Sequence, residues 1–174
     1  MYDYLIKEAT IVDGTGADSF IGNIAITNGK IAGVGEVDGQ AKETINAEGT
    51  HASPGWIDVH THYDGQVSWD DEIDPSFSHG VTSIVMGNCG VGFAPCHLGG
   101  EKDLIELMEG VEDIPGTALY EGIEWGRWET MPEYLDYLET RQFTLDVGAL
   151  VPHSAVRNYV MGARAVSHED ANAE

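Results

Sequence analysis

Positive charge is what this 174-residue chain most lacks. Its 8 Lys and Arg stand against 30 Asp and Glu, a formal net charge of −22 at pH 7. So acidic a chain repels phosphate backbones, which excludes nucleic acid as an expected partner. The excess fits a salty habitat, where screening relieves self-repulsion, or a local imbalance offset by sequence elsewhere. Cysteine is nearly as scarce. Cys89 and Cys96 are the only two, too few for a disulfide framework and in keeping with a reducing compartment. No run approaches the roughly 20 apolar residues of a membrane span, so no membrane partner is expected. The opening Met1-Tyr2-Asp3-Tyr4 has no basic segment leading into an apolar run. A signal peptide is therefore not visible, and a cytoplasmic location is the default. Hydrophobic residues still make up 42% of the chain, ample for a folded core.

What is present centres on Pro54 to His62, Pro-Gly-Trp-Ile-Asp-Val-His-Thr-His. Trp56, Ile57 and Val59 favour a strand, and Pro54-Gly55 punctuates its start. Alternation along a strand puts Asp58, His60 and His62 on one face and Val59 and Thr61 on the other. Paired imidazoles near a strand's C-terminal end form a natural clamp for zinc and similar ions, and a carboxylate such as Asp58 can fix a histidine's tautomer. A bare His-x-His arises by chance about 0.3 times in a chain of this composition, so its context carries the signal.

Before this stretch, residues 1–53 read as a small all-β unit. Tyr4-Leu5-Ile6, Thr10-Ile11-Val12 and Thr44-Ile45-Asn46 are short strand candidates. Ile24 to Thr27, Asn28-Gly29 and Lys30 to Val34 spell a hairpin, because Asn-Gly tolerates the positive φ angles of a type I′ turn. After it, a helix is expected from Pro75, N-capped by Asp74 and ended by Gly80, with His79 as a packing or capping residue. Val81 to Met86 reads as a buried parallel strand. Behind it, Gly87-Asn88-Cys89-Gly90 lets backbone approach closely.

Farther along, Leu104, Ile105, Leu107 and Met108 predict an amphipathic helix. Residues 110–127 show no period and read as a long loop. Trp125 and Trp128 would either cover an apolar substrate group or staple that loop down. Thr130 and Glu133 fit a capping box opening a helix to Thr140. A third strand is expected over 143–151. His153 then stands where it can touch substrate or support the site by hydrogen bonding, and Arg157 can pair a substrate carboxylate or an acidic neighbour.

Strand, helix, strand, helix, strand in this order opens an α/β fold of the (β/α)8 type. Pro54 to His62 resembles the first barrel strand of the amidohydrolase superfamily. Tyr63-Asp64-Gly65-Gln66, Gly80-Val81-Thr82 and Met86 to Pro95 resemble its D-aminoacylase (N-acyl-D-amino-acid deacylase) branch. The resemblance runs from about Tyr4 to Arg157. It implies a TIM-like barrel, begun over residues 54–174, preceded by a β-sandwich segment over residues 1–53. It also implies a metal centre with zinc, one or two divalent ions, in which Cys89 ligates the tight site and His60 and His62 the neighbouring position. Cys96-His97 has no known role in it and reads as incidental surface or loop chemistry, with an adventitious metal contact as the other reading.

A whole barrel needs about 250 residues. The later histidine ligands and the general-base aspartate that the resemblance implies are expected beyond residue 174, so the chain is expected to be the N-terminal part of a longer enzyme. The expected reaction is zinc-dependent hydrolysis of a linear amide, with an N-acyl-D-amino acid as substrate. His153 and Arg157 are the candidate substrate contacts. Two alternatives stay open: a cyclic amidase of the dihydropyrimidinase or hydantoinase type, and a short non-catalytic protein that binds metal or a partner.

Overall fold

The computed structural model describes residues 1–112 and 114–172. The chain divides into two compact units, Met1–Pro54 and Gly55 onward.

The first unit is a five-stranded sheet. It holds β1 (Tyr2–Ile11), β2 (Phe20–Thr27), β3 (Lys30–Gly35), β4 (Ala41–Asn46) and β5 (His51–Ala52). The order is β3-β2-β1-β4, with β5 also paired to β1. The two strand candidates near the N-terminus are one strand. A bulge between Ile6 and Ala9, with Glu8 at φ 60, interrupts its register without ending it. The Asn-Gly hairpin forms as the sequence predicts, with Asn28 at φ 51 and Gly29 at φ 71 joining antiparallel β2 and β3. Leu5, Ala9 and Ala25 are fully buried, and Ile11 and Ala47 nearly so.

In the second unit, β6 (Trp56–Asp58), β7 (Val81–Met86) and β8 (Asp146–Ala149) form a parallel sheet in the order β6-β7-β8. Central β7 buries Ile84 and Met86 almost completely. Flanking helices are α1 (Glu101–Glu112), α2 (Gly116–Gly122), α3 (Met131–Glu139), α4 (His153–Met161) and α5 (Ala163–Val166). The capping box at α3 is fully formed. Thr130 Oγ1 accepts the Glu133 N–H, and Glu133 Oε2 accepts the Thr130 N–H.

Three expectations are corrected. The helix at Pro75 is only a one-turn 3-10 segment, Phe77–His79. Asp74 does accept the Ser78 N–H, but Gly80 turns left-handed at φ 86 before an α-helix can nucleate. His79 serves locally, its Nδ1 donating to the Pro75 carbonyl at 2.7 Å. The loop over residues 110–127, of which residue 113 lies outside the described residues, contains α2. Trp125 and Trp128 are both held by hydrogen bonds. Trp128 is buried and donates Nε1–H to the Phe93 carbonyl, and Trp125 donates to that of Leu119. The third strand is shorter than the span 143–151. Among the described residues, no helix is long and apolar enough to cross a membrane.

Candidate metal centre

Strand β6 ends at Asp58, so His60 and His62 lie on the segment that leaves it rather than within the strand. Between them Thr61 turns inward and is buried. Its backbone N–H and its hydroxyl both donate to the Val85 carbonyl, at 3.0 and 2.9 Å. Pinning Thr61 to β7 fixes the histidines on either side. Asp58, expected to fix an imidazole, bonds the main chain. Its Oδ1 accepts the backbone N–H of His60 at 3.1 Å.

Cys89 arrives from the turn after β7. That turn, Asn88–Gly90, is a short 3-10 segment in which Cys89 itself adopts φ 55. A non-glycine residue there is uncommon and costs of order 1–3 kcal/mol, which the surroundings must outweigh. Asn88 contributes to that. Its Nδ2 donates to the Val85 carbonyl at 2.9 Å and reaches the Thr61 carbonyl at 3.5 Å. One carbonyl, that of Val85, thus joins the histidine segment to the cysteine turn. Sequence reasoning passed over Thr61 and Asn88. The available signal was that each sits beside a candidate ligand with a side chain suited to bonding backbone.

These elements bring the three candidate ligands together. One ligand atom each from His60, His62 and Cys89 lies within 4.8 Å of the other two. His60 Nε2 is 3.2 Å from Cys89 Sγ, and the two imidazole rings meet edge to face at 5.5 Å. All three side chains are exposed. Thiolate and neutral imidazole are the donor set preferred by zinc, and three protein ligands with an open position is the arrangement of catalytic zinc sites. The residues present therefore fit the metal.

Glycine lets the cysteine turn pack on the start of α4. A Cβ on Gly90 would lie 3.4 Å from that of His153, and one on Gly92 only 2.6 Å from Pro152 Cγ. His153 is the exposed first residue of α4, next to the turn that carries Cys89. Arg157, one helical turn on, donates to the Glu169 backbone carbonyl. His153 and Arg157 both line a cavity of about 260 Å³ with Val156, Val160 and Arg164.

Cys96 and His97, both in the loop before α1, differ in setting. Cys96 is buried in the core, and desolvation there pushes its thiol up to about 11. His97 is hydrogen-bonded through both ring nitrogens.

Residues 43–174 match the amidohydrolase family. The chain belongs to the amidohydrolase family. The D-aminoacylase of Alcaligenes xylosoxydans xylosoxydans is 30% identical over 161 residues, which are 92% of this chain and 31% of that protein. A solved D-aminoacylase superposes with a TM-score of 0.75 at 30% identity, covering 93% of this chain and 32% of the other. D-aminoacylase has a binuclear metal centre. The N-acyl-D-glutamate deacylase of Bordetella bronchiseptica was solved with zinc and a phosphonate mimic of the tetrahedral intermediate. It superposes with a TM-score of 0.67 at 30% identity, over 92% of this chain and 31% of its own. This amidohydrolase chain shares their mixed α/β fold and spans about a third of their length.

Proposed function

We propose that this chain supplies the first metal ligands of a zinc-dependent N-acyl-D-amino-acid deacylase. One observation carries the reading: in a chain of this family, His60, His62 and Cys89 converge to within 4.8 Å. The similarity to D-aminoacylase and N-acyl-D-glutamate deacylase supports the substrate class. On this reading residues 54–174 form the opening strands of a (β/α)8 barrel and residues 1–53 part of a β-sandwich. The cysteine turn then lies at the C-terminal end of a barrel strand, where active sites of that fold are built.

His60, His62 and Cys89 would hold the zinc. A bound zinc supplies Lewis acidity toward an amide carbonyl and toward water. The chain's own part is positional. Thr61 and Asn88 hold the ligand segments against β7 through the Val85 carbonyl. Cys89 brings a soft anionic donor, and the histidines bring neutral ones. His153 stands beside the turn as a candidate substrate contact. Arg157 becomes available to a substrate carboxylate once its bond to the Glu169 carbonyl is exchanged.

The test uses the protein of its relatives' length that contains this chain. Purified with zinc, it is offered N-acetyl-D-amino acids, their L-enantiomers and hydantoins. Hydrolysis of the D-substrates with release of acetate is the expected result. Opening of hydantoins with N-acetyl-D-amino acids left intact overturns the reading in favour of a cyclic amidase, and a zinc-loaded protein inert to all three is a binding protein.

A further inference from the structure

His97 lies eight residues past Cys89, on the same loop and outside the metal cluster. Its Nδ1 is 2.8 Å from Glu129 Oε1, and its Nε2 is 2.9 Å from the Tyr159 backbone carbonyl. Both partners are acceptors. A neutral imidazole has one N–H and can satisfy only one of them, whereas an imidazolium satisfies both. Its ring also stacks on that of Tyr159, with centroids 3.8 Å apart and planes 18° from parallel, a contact that favours a cationic ring. The Tyr159 hydroxyl donates to the same Glu129 oxygen at 3.4 Å.

This arrangement spans three parts of the unit. His97 belongs to the loop that begins with the cysteine turn, and its carbonyl accepts the Gly100 N–H just before α1. Glu129 immediately precedes the N-cap of α3, and Tyr159 lies on α4. The N-terminal end of α4 packs on Gly90 and Gly92 of the same loop. The loop is therefore held to α4 twice, at the cysteine turn by close packing and at His97 by hydrogen bonds.

We propose that His97 acts as an imidazolium clamp, a positioning residue that fixes α4 and its first residue His153 against the Cys89 loop and releases them as it loses its proton. The surrounding ionisable groups favour the charged form. Glu129 faces the ring from the segment before α3, and Tyr159 faces it from α4. Glu133 of α3 acts on Tyr159, while Glu101 of α1 acts with Glu129 on neighbouring Cys96. The Glu129 hydrogen bond, helped by the Tyr159 carbonyl, raises the His97 pKa above its ordinary value. The sign follows from linkage. The clamp's stabilisation is fully present below the unfolded-state value of about 6.5 and is lost as pH rises through the higher folded value.

The clamp needs no hydrolytic activity, so its failure would leave the deacylase reading standing. Ring-proton NMR of the histidines, followed from pH 5 to 9, gives the His97 midpoint. Hydrogen exchange across residues 153–161, corrected for intrinsic rates, reads the helix. The expected midpoint lies above 6.5 in the native protein and drops in Glu129→Gln. Exchange in the helix should accelerate through that same midpoint, and in His97→Gln it should be fast at every pH. Tyr159→Phe keeps the carbonyl and the stacked ring, so its midpoint should stay close to native. A native midpoint at or below 6.5 overturns the proposal, as does a midpoint unmoved by Glu129→Gln. So does helix exchange indifferent to pH. Should His97→Gln not fold, the native and Glu129→Gln titrations still decide it.

Discussion

Cys89 Sγ lies 3.2 Å from His60 Nε2, although 29 residues separate the two in sequence. One stands beyond β6 and the other beyond β7, so adjacent parallel strands bring them together. If that contact is a metal site, Cys89→Ala in the protein of relatives' length should abolish deacylation and lower its zinc content. Cys89→Ser should do similar damage, because a neutral hydroxyl is a poor partner for zinc beside imidazole. His60→Ala and His62→Ala should weaken the metal as well. Elemental analysis of each purified variant, with turnover alongside, is the measurement. Full zinc and normal turnover in Cys89→Ala would return the cysteine to a packing role. Cys96→Ala is the control. It removes a buried core group, at a cost of about 1 kcal/mol, and should leave zinc content alone.

The two thiols should also separate by reactivity. Cys89 is exposed and Cys96 buried. Burial pushes the Cys96 thiol up to about 11, so at pH 8 it is held protonated and shielded. A chromogenic disulfide reagent should therefore label one thiol quickly in the metal-free protein and the second only on denaturation. Adding zinc should protect the fast thiol. Two equally fast thiols in the native protein would contradict the burial of Cys96.

Local rules made much of this fold legible, and tertiary contacts decided the rest. The α3 cap could be read because Thr130 and Glu133 satisfy each other's neighbouring N–H groups without outside help. The Asn28-Gly29 hairpin was readable for the same reason, and the strand at Val81 to Met86 from its apolar, β-branched run. Helix α2 was not, since its seven residues are too few to show a period and Leu119 is its one buried side chain. At the site, the candidate ligands could be anticipated from motif and family resemblance, though the histidines lie past the strand on which alternation was read. Their organisation could not, because it depends on a backbone carbonyl at Val85, which carries no sequence signal of its own. Asp58 is instructive, a carboxylate in the right motif whose bond to the His60 main chain carries no sequence signal. His97 carries no such signal, because its partners, Glu129 and Tyr159, are 32 and 62 residues away.

The Val85 junction gives a prediction of its own. Asn88→Ala removes the side chain that ties the cysteine turn to β7, and Thr61→Val removes a hydroxyl bond while keeping shape. Neither touches a ligand atom. Groups that orient metal ligands typically change metal affinity by about 10–100-fold when removed. Zinc competition titrations should show a loss in that range for Asn88→Ala. Thr61→Val should lose less, because its backbone N–H still reaches Val85. Native affinity in both variants would show that the turn holds its shape without the junction.

Gly87 offers the sharpest test of how tightly that turn is built. It sits at φ 83, a region that side chains rarely adopt. A Cβ there would also lie 2.4 Å from the Leu150 carbonyl oxygen and 3.0 Å from the Leu150 nitrogen. These are backbone atoms, and that nitrogen is already hydrogen-bonded to the Met86 carbonyl at 2.8 Å. They cannot swing aside as a side-chain tip would, so the end of the β7–β8 pairing must open. Gly99 separates the two effects. It has a similar φ of 80, but a Cβ there meets nothing within 4 Å. Gly99→Ala should therefore cost only the left-handed penalty, about 1–2 kcal/mol. Gly87→Ala adds the clash and should exceed about 3 kcal/mol in denaturant unfolding. Because Cys89 is two residues on, it should also lower zinc affinity, which Gly99→Ala should not. Equal destabilisation by the two substitutions would mean that Leu150 yields freely, and that the cysteine turn is not held by close backbone packing.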